Sequence, residues 1–336
     1  MDSLTQIALG AAVGEAVVGR KAGWRGAAWG AALGTLPDLD ILAYPFLDSV
    51  GQLAFHRGIT HSILFCVVLA PLFGRLLARL HRARGIPVSR WSLMVFLVLF
   101  THIALDAFTV YGTQVFQPFS DYPLALNSLF IIDPLYTAPL AISVVALLFF
   151  PPESRTRRAI GRLGLLASTL YVVWSLGAKA AADRAFEQGW AEAGIQVERA
   201  MSNPLPLNTV LWMGIAESRD TLHVGVYSLL DPGPPTSFVK IPKRNSLVAP
   251  YADERAVRRL LRFSKGWYGV TMRNGSLVLD DWRFGRGDAW LGDSGDPIFR
   301  FVLERGTCPD SWCGFRQESP ALGSLGAVWD RIGEGS

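Results

Sequence analysis

"HRGITHSILFCVVLAPLFGRLLARL", residues 56–80, joins two kinds of sequence that seldom meet. From Ser62 onward only Arg75 and Arg79 carry charge in residues 62–80, and a bilayer span takes about 20 mostly apolar residues, with roughly 17 as the lower end. The second half therefore reads as a transmembrane helix. The first half places His56, Arg57 and His61 at its mouth, where ionisable side chains are costly and mark either a function or a buried pair.

Working outward, the whole chain fits a membrane protein. Of its 336 residues 50% are hydrophobic and 18% charged, with a mean hydropathy of +0.28; a soluble domain carries roughly 25% charged residues. Three more runs of spanning length, 92–108, 134–150 and about 163–182, bring the expected total to four clear transmembrane helices. Residues 4–19 and 26–36 are apolar but shorter and predict two short N-terminal helices packed against the others. Gly10 and Gly14, then Gly26, Gly30 and Gly34, recur every four residues, a stripe along which a neighbouring backbone can approach closely.

Orientation follows from the basic residues. Loops 20–25, 73–91 and 151–162 are rich in Arg and Lys, whereas 37–61 and 109–133 hold only Arg57. Short basic loops stay in the cytoplasm, which places the latter two stretches, and the C-terminal half, on the outer face of a bacterial or archaeal inner membrane. The net charge of +4 comes from these loops, so no nucleic-acid-binding face is expected. Asp2 and Glu15 with no basic n-region argue that the first segment is not a cleaved signal.

Residues 1–182 thus read as an α-helical integral membrane bundle and 183–336 as a soluble, extracytoplasmic, β-rich α+β domain. "NTVLWMGIAES" and "TLHVGVYSLL" are strand-like, and Asn274-Gly275 between two alternating runs signals a hairpin. Cys308 and Cys313 in "TCPDSWC" could close a local disulfide, which needs an oxidising compartment. "GDSGDP", residues 292–297, is similar to the nucleophile motif of chymotrypsin-like serine proteases, but His223 lies too close ahead of Ser294 for two barrels and Asp296 replaces a glycine. An Asp/Gly turn is the better reading.

The polar residues of the first half gather on one expected side. Asp38 and Asp40 in "LPDLD", His56 and His61, His102 and Asp106 in "THIALD", and Asp133 in "IIDP" all fall near the outer ends of their segments. His102 and Asp106, four apart on a helix, share a face. Asp38 and Asp40 point the same way if their segment is extended, and Gly58 allows a turn that brings the rings of His56 and His61 together. Imidazoles and carboxylates are good ligands for zinc and related ions. Each histidine alone is more readily a packing residue than a ligand, Asp133 before Pro134 is equally a helix cap or a ligand, Glu15 is a buried polar contact or part of the site, and Arg57 is either a substrate anchor or the partner of an acid such as Asp48; convergence favours a metal site.

"MDSLTQIALGAAVGEA", "GTLPDLD", "HRGITHS", "THIALDAFTVYGTQVFQPFSDY" and "NSLFIIDPLYT" occur in this order over about residues 1–150, and together they resemble the membrane-bound metal-dependent hydrolases of the YdjM type, also described as LexA-binding inner-membrane-associated hydrolases. The resemblance implies a multi-helix membrane protein whose metal ligands here are Asp38, Asp40, His56, His61, His102 and Asp106. Where some relatives carry a histidine after the early threonine, this chain has Gln6. A faint likeness of the His-x-x-x-Asp pair to zinc-dependent phospholipase C and P1 nuclease sites implies phosphoester hydrolysis. The expectation is therefore a hydrolase with a divalent metal, zinc for preference, with Asp40 or Asp133 as base, Arg57 as anchor and a lipid or phosphoester as substrate at the bilayer. The rival is a non-enzymatic membrane scaffold with a structural metal or polar cluster; a transporter fits less well, its ion site being expected at the midplane.

Overall fold

The structure is a computed structural model and describes residues 1–286, 297–305 and 312–318. Its contacts divide the chain into two units. The first comprises Met1–Leu42, Phe55–Leu176 and Pro206–Asn208; the second comprises Ala43–Ala54, Gly177–Leu205 and Thr209–Ser336.

The first unit is helical. α1 (Ser3–Ala22) starts at Asp2, whose side chain accepts from Thr5 N, and is followed across Gly23 by α2 (Trp24–Gly34). The glycine stripe is where these two helices meet. A Cβ on Gly30 would lie 2.0 Å from the Gly10 carbonyl oxygen, and one on Gly14 2.2 Å from that of Gly26, so the backbones touch only because no side chain intervenes. A 3-10 helix over Pro37–Phe46, α3 (Ser49–Phe55) and a 3-10 turn at Ile59–His61 lead to α4 (Ile63–Leu80), whose cap Ser62 accepts from Phe65 N. α5 (Val88–Ala107) is the central element: Trp91, Met94, Val95, Val98 and Leu99 are at most 1% exposed. After an irregular stretch come α6 (Pro134–Ala146), a 3-10 turn at Leu147–Phe149, and α7 (Arg155–Glu192).

Among the described residues three helices, α4, α5 and α7, are long and apolar enough to cross a membrane. Large apolar side chains stand exposed along them, among them Val68, Leu72 and Leu76 on α4 and Leu166, Leu170 and Val173 on α7, which is the surface a lipid solvent requires. The sequence led us to expect four such helices and two short ones. Residues 134–150 instead form a 13-residue helix ending in a 3-10 turn, and α1 is longer than 4–19, running to 20 residues because Arg20 and Lys21 complete its last turn at the negative end of the helix dipole.

The second unit holds two four-stranded antiparallel sheets. One has the order β1 (Arg199–Pro204), β2 (Leu211–Ser218), β3 (Thr221–Ser228), β4 (Val239–Pro242); the other β5 (Tyr268–Arg273), β6 (Ser276–Arg286), β7 (Pro297–Glu304), β8 (Gly314–Glu318). Between the sheets in sequence lie α8 (Asn245–Val248) and α9 (Arg255–Phe263). Asn274 and Gly275, with φ of 51° and 78°, turn β5 into β6 with Arg273 opposite Ser276, the left-handed two-residue loop that the Asn-Gly pair predicts. Phe186 and Trp190 of α7 pack with Trp212 and Ala216 of β2. Cys313 is disulfide-bonded and Cys66 is free and buried; Cys308 and Ser294 lie outside the described residues.

Candidate metal centre

α5 ends by presenting His102 and Asp106 from one face, four residues apart. Opposite them the 3-10 helix at Pro37–Phe46 brings Asp38, and the turn before α4 brings His61. The backbone at Arg57 adopts φ 55°, and its N–H donates to Asp40 Oδ2 at 3.1 Å, pinning the turn to the 3-10 helix. His61 N then bonds Gly58 O at 2.9 Å, which closes the turn and aims His61 inward.

Four ligand atoms, one each from Asp38, His61, His102 and Asp106, lie within 4.8 Å of one another. His61 Nε2 is 3.3 Å from Asp38 Oδ1, 3.4 Å from Asp106 Oδ2 and 3.3 Å from His102 Nε2. His102 Nε2 is 3.6 Å from Asp38 Oδ1 and 3.7 Å from Asp106 Oδ2. A tetrahedron of metal–ligand bonds of about 2.0–2.2 Å has edges of about 3.3–3.6 Å, so the five separations that involve an imidazole stand close to coordination spacing, and the Asp38–Asp106 separation is within 4.8 Å.

Protonation supports the same reading. His102 Nδ1 contacts the Gly34 carbonyl oxygen at 2.7 Å; a carbonyl only accepts, so Nδ1 carries the proton and Nε2 turns a lone pair toward the cluster. Among the described residues, Asp106 Oδ2, buried and facing both Nε2 atoms, accepts no hydrogen bond, and Gln6 Oε1 is likewise buried without a donor. Asp106 Oδ1 is satisfied by the Met1 amine, by Gln6 Nε2 at 3.2 Å and by Arg57 Nη2 at 3.4 Å. Burial pushes the Asp38 carboxyl up, but hydrogen bonds with His102 and His61 outweigh it and hold the group ionised below its ordinary range. Burial disfavours a charged His61, yet the Asp106 and Asp38 carboxylates outweigh that and raise it. The His102 lone pair and two carboxylates thus surround a space that favours positive charge, where a divalent cation would take the place of the His61 proton.

The six expected ligands separate into two layers. Asp40 does not join the four: its Oδ1 meets His56 Nδ1 at 3.1 Å, its Oδ2 takes Arg57 N, and Thr60 Oγ1 lies 3.4 Å away. His56 goes with Asp40, its ring 5.5 Å from that of Tyr111. The Arg57 guanidinium is buried, donates to Thr109 Oγ1 at 3.2 Å and lies 4.7 Å over the Tyr111 ring. Asp133 caps α6, accepting from Leu135 N, Tyr136 N and, at 3.0 Å, Tyr171 Oη. Glu15 forms a two-pronged pair with Arg157 at 2.7 and 2.8 Å, away from the cluster. Sequence reasoning did not find the Gly34 carbonyl, Thr60, Thr109 or Tyr111. A backbone carbonyl has no sequence signature, and the hydroxyls gain meaning only from their neighbours; Gln6 alone carried a signal, as the residue standing where relatives place histidine.

Comparison with known proteins matches residues 1–182 to the model of a family described as YdjM inner membrane protein. The chain belongs to the YdjM inner membrane protein family. It is also 35% identical over 94 residues to the inner membrane protein YbcI of Escherichia coli (strain K12), an alignment covering 27% of this chain and 53% of that protein. The chain thus spans about half the length of this curated relative. No solved structure matches the chain with significance. All four converging residues, with Gln6, Asp40 and His56, lie inside the segment that carries the family match, so this membrane protein holds, within its family-defining half, a His/Asp cluster able to bind a metal ion.

Proposed function

We propose that the chain is a membrane-bound metal-dependent hydrolase that carries zinc or a related divalent ion on Asp38, His61, His102 and Asp106, at the outer face of the inner membrane. The observation that supports this most is the set of four ligand atoms within 4.8 Å of one another, with a buried Asp106 oxygen that has no hydrogen-bond partner among the described residues. A divalent ion bound there supplies Lewis-acid polarisation of a scissile bond and acidifies water. Gly34 fixes the His102 tautomer, and Thr60 at 3.0 Å from His61 Nδ1 orients the second imidazole.

His56 is the proton carrier in this reading. Its ring is 21% exposed and its Nδ1 is held by the fully buried Asp40 carboxylate, a pairing that fixes the tautomer and turns the opposite ring nitrogen away from Asp40. Asp40 positions it, and Asp133, committed to its cap, is left with a structural role. Arg57, charged and buried beside Asp106, anchors an anionic group of the substrate. Asp38 is 23% exposed whereas the other three ligand side chains are at most 1% exposed, so substrate enters on the Asp38 side. The lipid boundary favours a lipid or lipid-linked phosphoester, and the Arg-rich loops together with the disulfide at Cys313 favour an extracytoplasmic C-terminal domain.

A second reading has its own observation: four protein ligands complete a tetrahedron without water, the pattern of structural zinc. Purified full-length protein, stripped of metal and reconstituted with Zn²⁺, separates the two when assayed on p-nitrophenyl phosphate and on phospholipid in mixed micelles. The hydrolase reading expects metal-dependent turnover that His56→Ala abolishes while metal content is kept. Reconstituted protein no faster than the stripped form on both probes refutes it.

A further inference from the structure

In the second unit the β1–β4 sheet turns one face toward the end of α7. Residues two apart on a strand share a face, so Thr221, His223, Gly225 and Tyr227 of β3 line up beside Trp212 and Ala216 of β2, which pack on Phe186 and Trp190. The helix stops where Gly194, at φ 68°, lets Ile195 N bond back to Trp190 O at 2.9 Å. Beyond that stop a cleft of about 530 Å³ is bounded by residues 193–196 and by side chains of β3, β4 and the turn before β3. Its size falls in the range of small-molecule sites, roughly 300–1,000 Å³.

The basic groups of this cleft lack partners. His223 stands directly opposite Lys240 in the β3–β4 register, which makes the two side chains neighbours on one face. His223 is 9% exposed, and its Nδ1 is buried with no hydrogen-bond partner among the described residues. Burial and then the Lys240 charge lower its pKa. Lys240 and Arg219 are exposed, and among the described residues neither the ammonium nor the guanidinium has a hydrogen bond or ion pair. Among the described residues no carboxylate lines the cleft. The neighbouring acids are taken elsewhere: Glu192 accepts from Gln188 Nε2, Glu198 from the Arg219 backbone N–H, Asp220 from Asn245 Nδ2, and Glu217 from Lys243 and Arg199. The carbonyl end of α7 contributes about half a negative charge, less than the two cations carry.

We propose that the cleft binds a hydroxylated organic anion, a sugar acid or sugar phosphate, with Arg219 and Lys240 on its charged group and His223 beside them. Ser218, Thr221 and Thr236 bring hydroxyls that both donate and accept, and Gln196 brings an amide, the groups that answer a polyol. Phe238 sits over Gly225, where a Cβ would come within 2.7 Å of its ring, and supplies an apolar wall for one face of the sugar. The site lies within the second unit and does not depend on the metal centre.

The test uses the full chain in phosphatidylcholine nanodiscs at low salt, where exposed charges are least screened. Glucuronate, glucose-6-phosphate, glucose and inorganic phosphate are titrated calorimetrically. Wild type is expected to bind at least one of the two sugar anions, and to bind glucose and inorganic phosphate about tenfold or more weaker, since each offers only part of the contacts. Arg219→Gln/Lys240→Gln is expected to weaken the sugar anion about tenfold or more with an unchanged melting temperature, because both side chains are exposed. The single Lys240→Gln variant, on an edge strand, gives the same direction of change should the pair lose its fold. Preference for glucuronate identifies a sugar acid, and preference for glucose-6-phosphate a sugar phosphate. No wild-type binding of either sugar anion, equal binding by wild type and the Gln variants, or glucose or inorganic phosphate bound as tightly as the sugar anions, overturns the proposal.

Discussion

Replacing His102 with alanine tests the centre most directly. His102 Nε2 is one of the four atoms the cluster offers to a metal, standing 3.3 to 3.7 Å from its three neighbours. Zinc bound by four protein ligands is worth roughly 10–16 kcal/mol at neutral pH, so an equal share is about 2.5–4 kcal/mol per ligand, or roughly 10²- to 10³-fold in affinity. Packing alone predicts otherwise: a buried imidazole lost to alanine lowers stability without changing metal uptake. The assay is metal content of purified full-length protein by mass spectrometry, followed by competition with a chelator of known affinity. His56→Ala is the control, because His56 touches Asp40 and stands outside the four ligands; its affinity should fall by less than about tenfold. Equal metal affinity in wild type and His102→Ala, or equal losses in the two variants, would refute the reasoning.

Two further outcomes follow from the packing. Gly30→Val forces α1 from α2, since even a Cβ there would meet the Gly10 carbonyl oxygen at 2.0 Å; overpacking costs about 1–3 kcal/mol, and a lower melting temperature with partial loss of metal is expected, because Gly34 and Gln6 border the same crossing. In the second unit burial raises the Glu217 carboxyl, but Lys243 and Arg199 outweigh it and lower its pKa. A depressed carboxyl contributes stability that is fully present above its unfolded value near ~4.3 and is lost as pH falls through the folded value. Glu217→Gln should therefore destabilise the full chain by about 1–3 kcal/mol at neutral pH and make denaturation, followed by tryptophan fluorescence, less sensitive to acid; a wild-type acid limb in the variant would count against this.

The helix face shared by His102 and Asp106 was legible from spacing alone, as were the glycine stripe and the Asn274-Gly275 hairpin, because each rests on one local period. The Asp38 and Asp40 pair was not. Asp38 and Asp40 were expected to point together from an extended segment, but they sit in a 3-10 helix. With three residues per turn, positions two apart diverge by about 120°, sending Asp38 to the cluster and Asp40 to His56. His56 and His61 do meet across the turn, their rings 6.2 Å apart and edge to face, yet only His61 joins the four. The reversal at Arg57 and Gly58 buries His61 and leaves its neighbour at the rim, and five residues of spacing carry no hint of a left-handed arginine.

That left-handed turn closes a loop whose middle belongs elsewhere. Asp38 and Asp40 precede Ala43–Ala54, and His56 and His61 follow it, yet this intervening segment makes its contacts in the second unit, where Val50 enters the core beneath α9 and Asp48 and Leu53 are held by Arg255 and Arg259. Closing a free loop between the two halves of the ligand set costs entropy that grows with its length. Anchoring Ala43–Ala54 in a folded core removes most of the conformational freedom of the stretch between Asp40 and His56, so the free part of the loop is a few residues at each end.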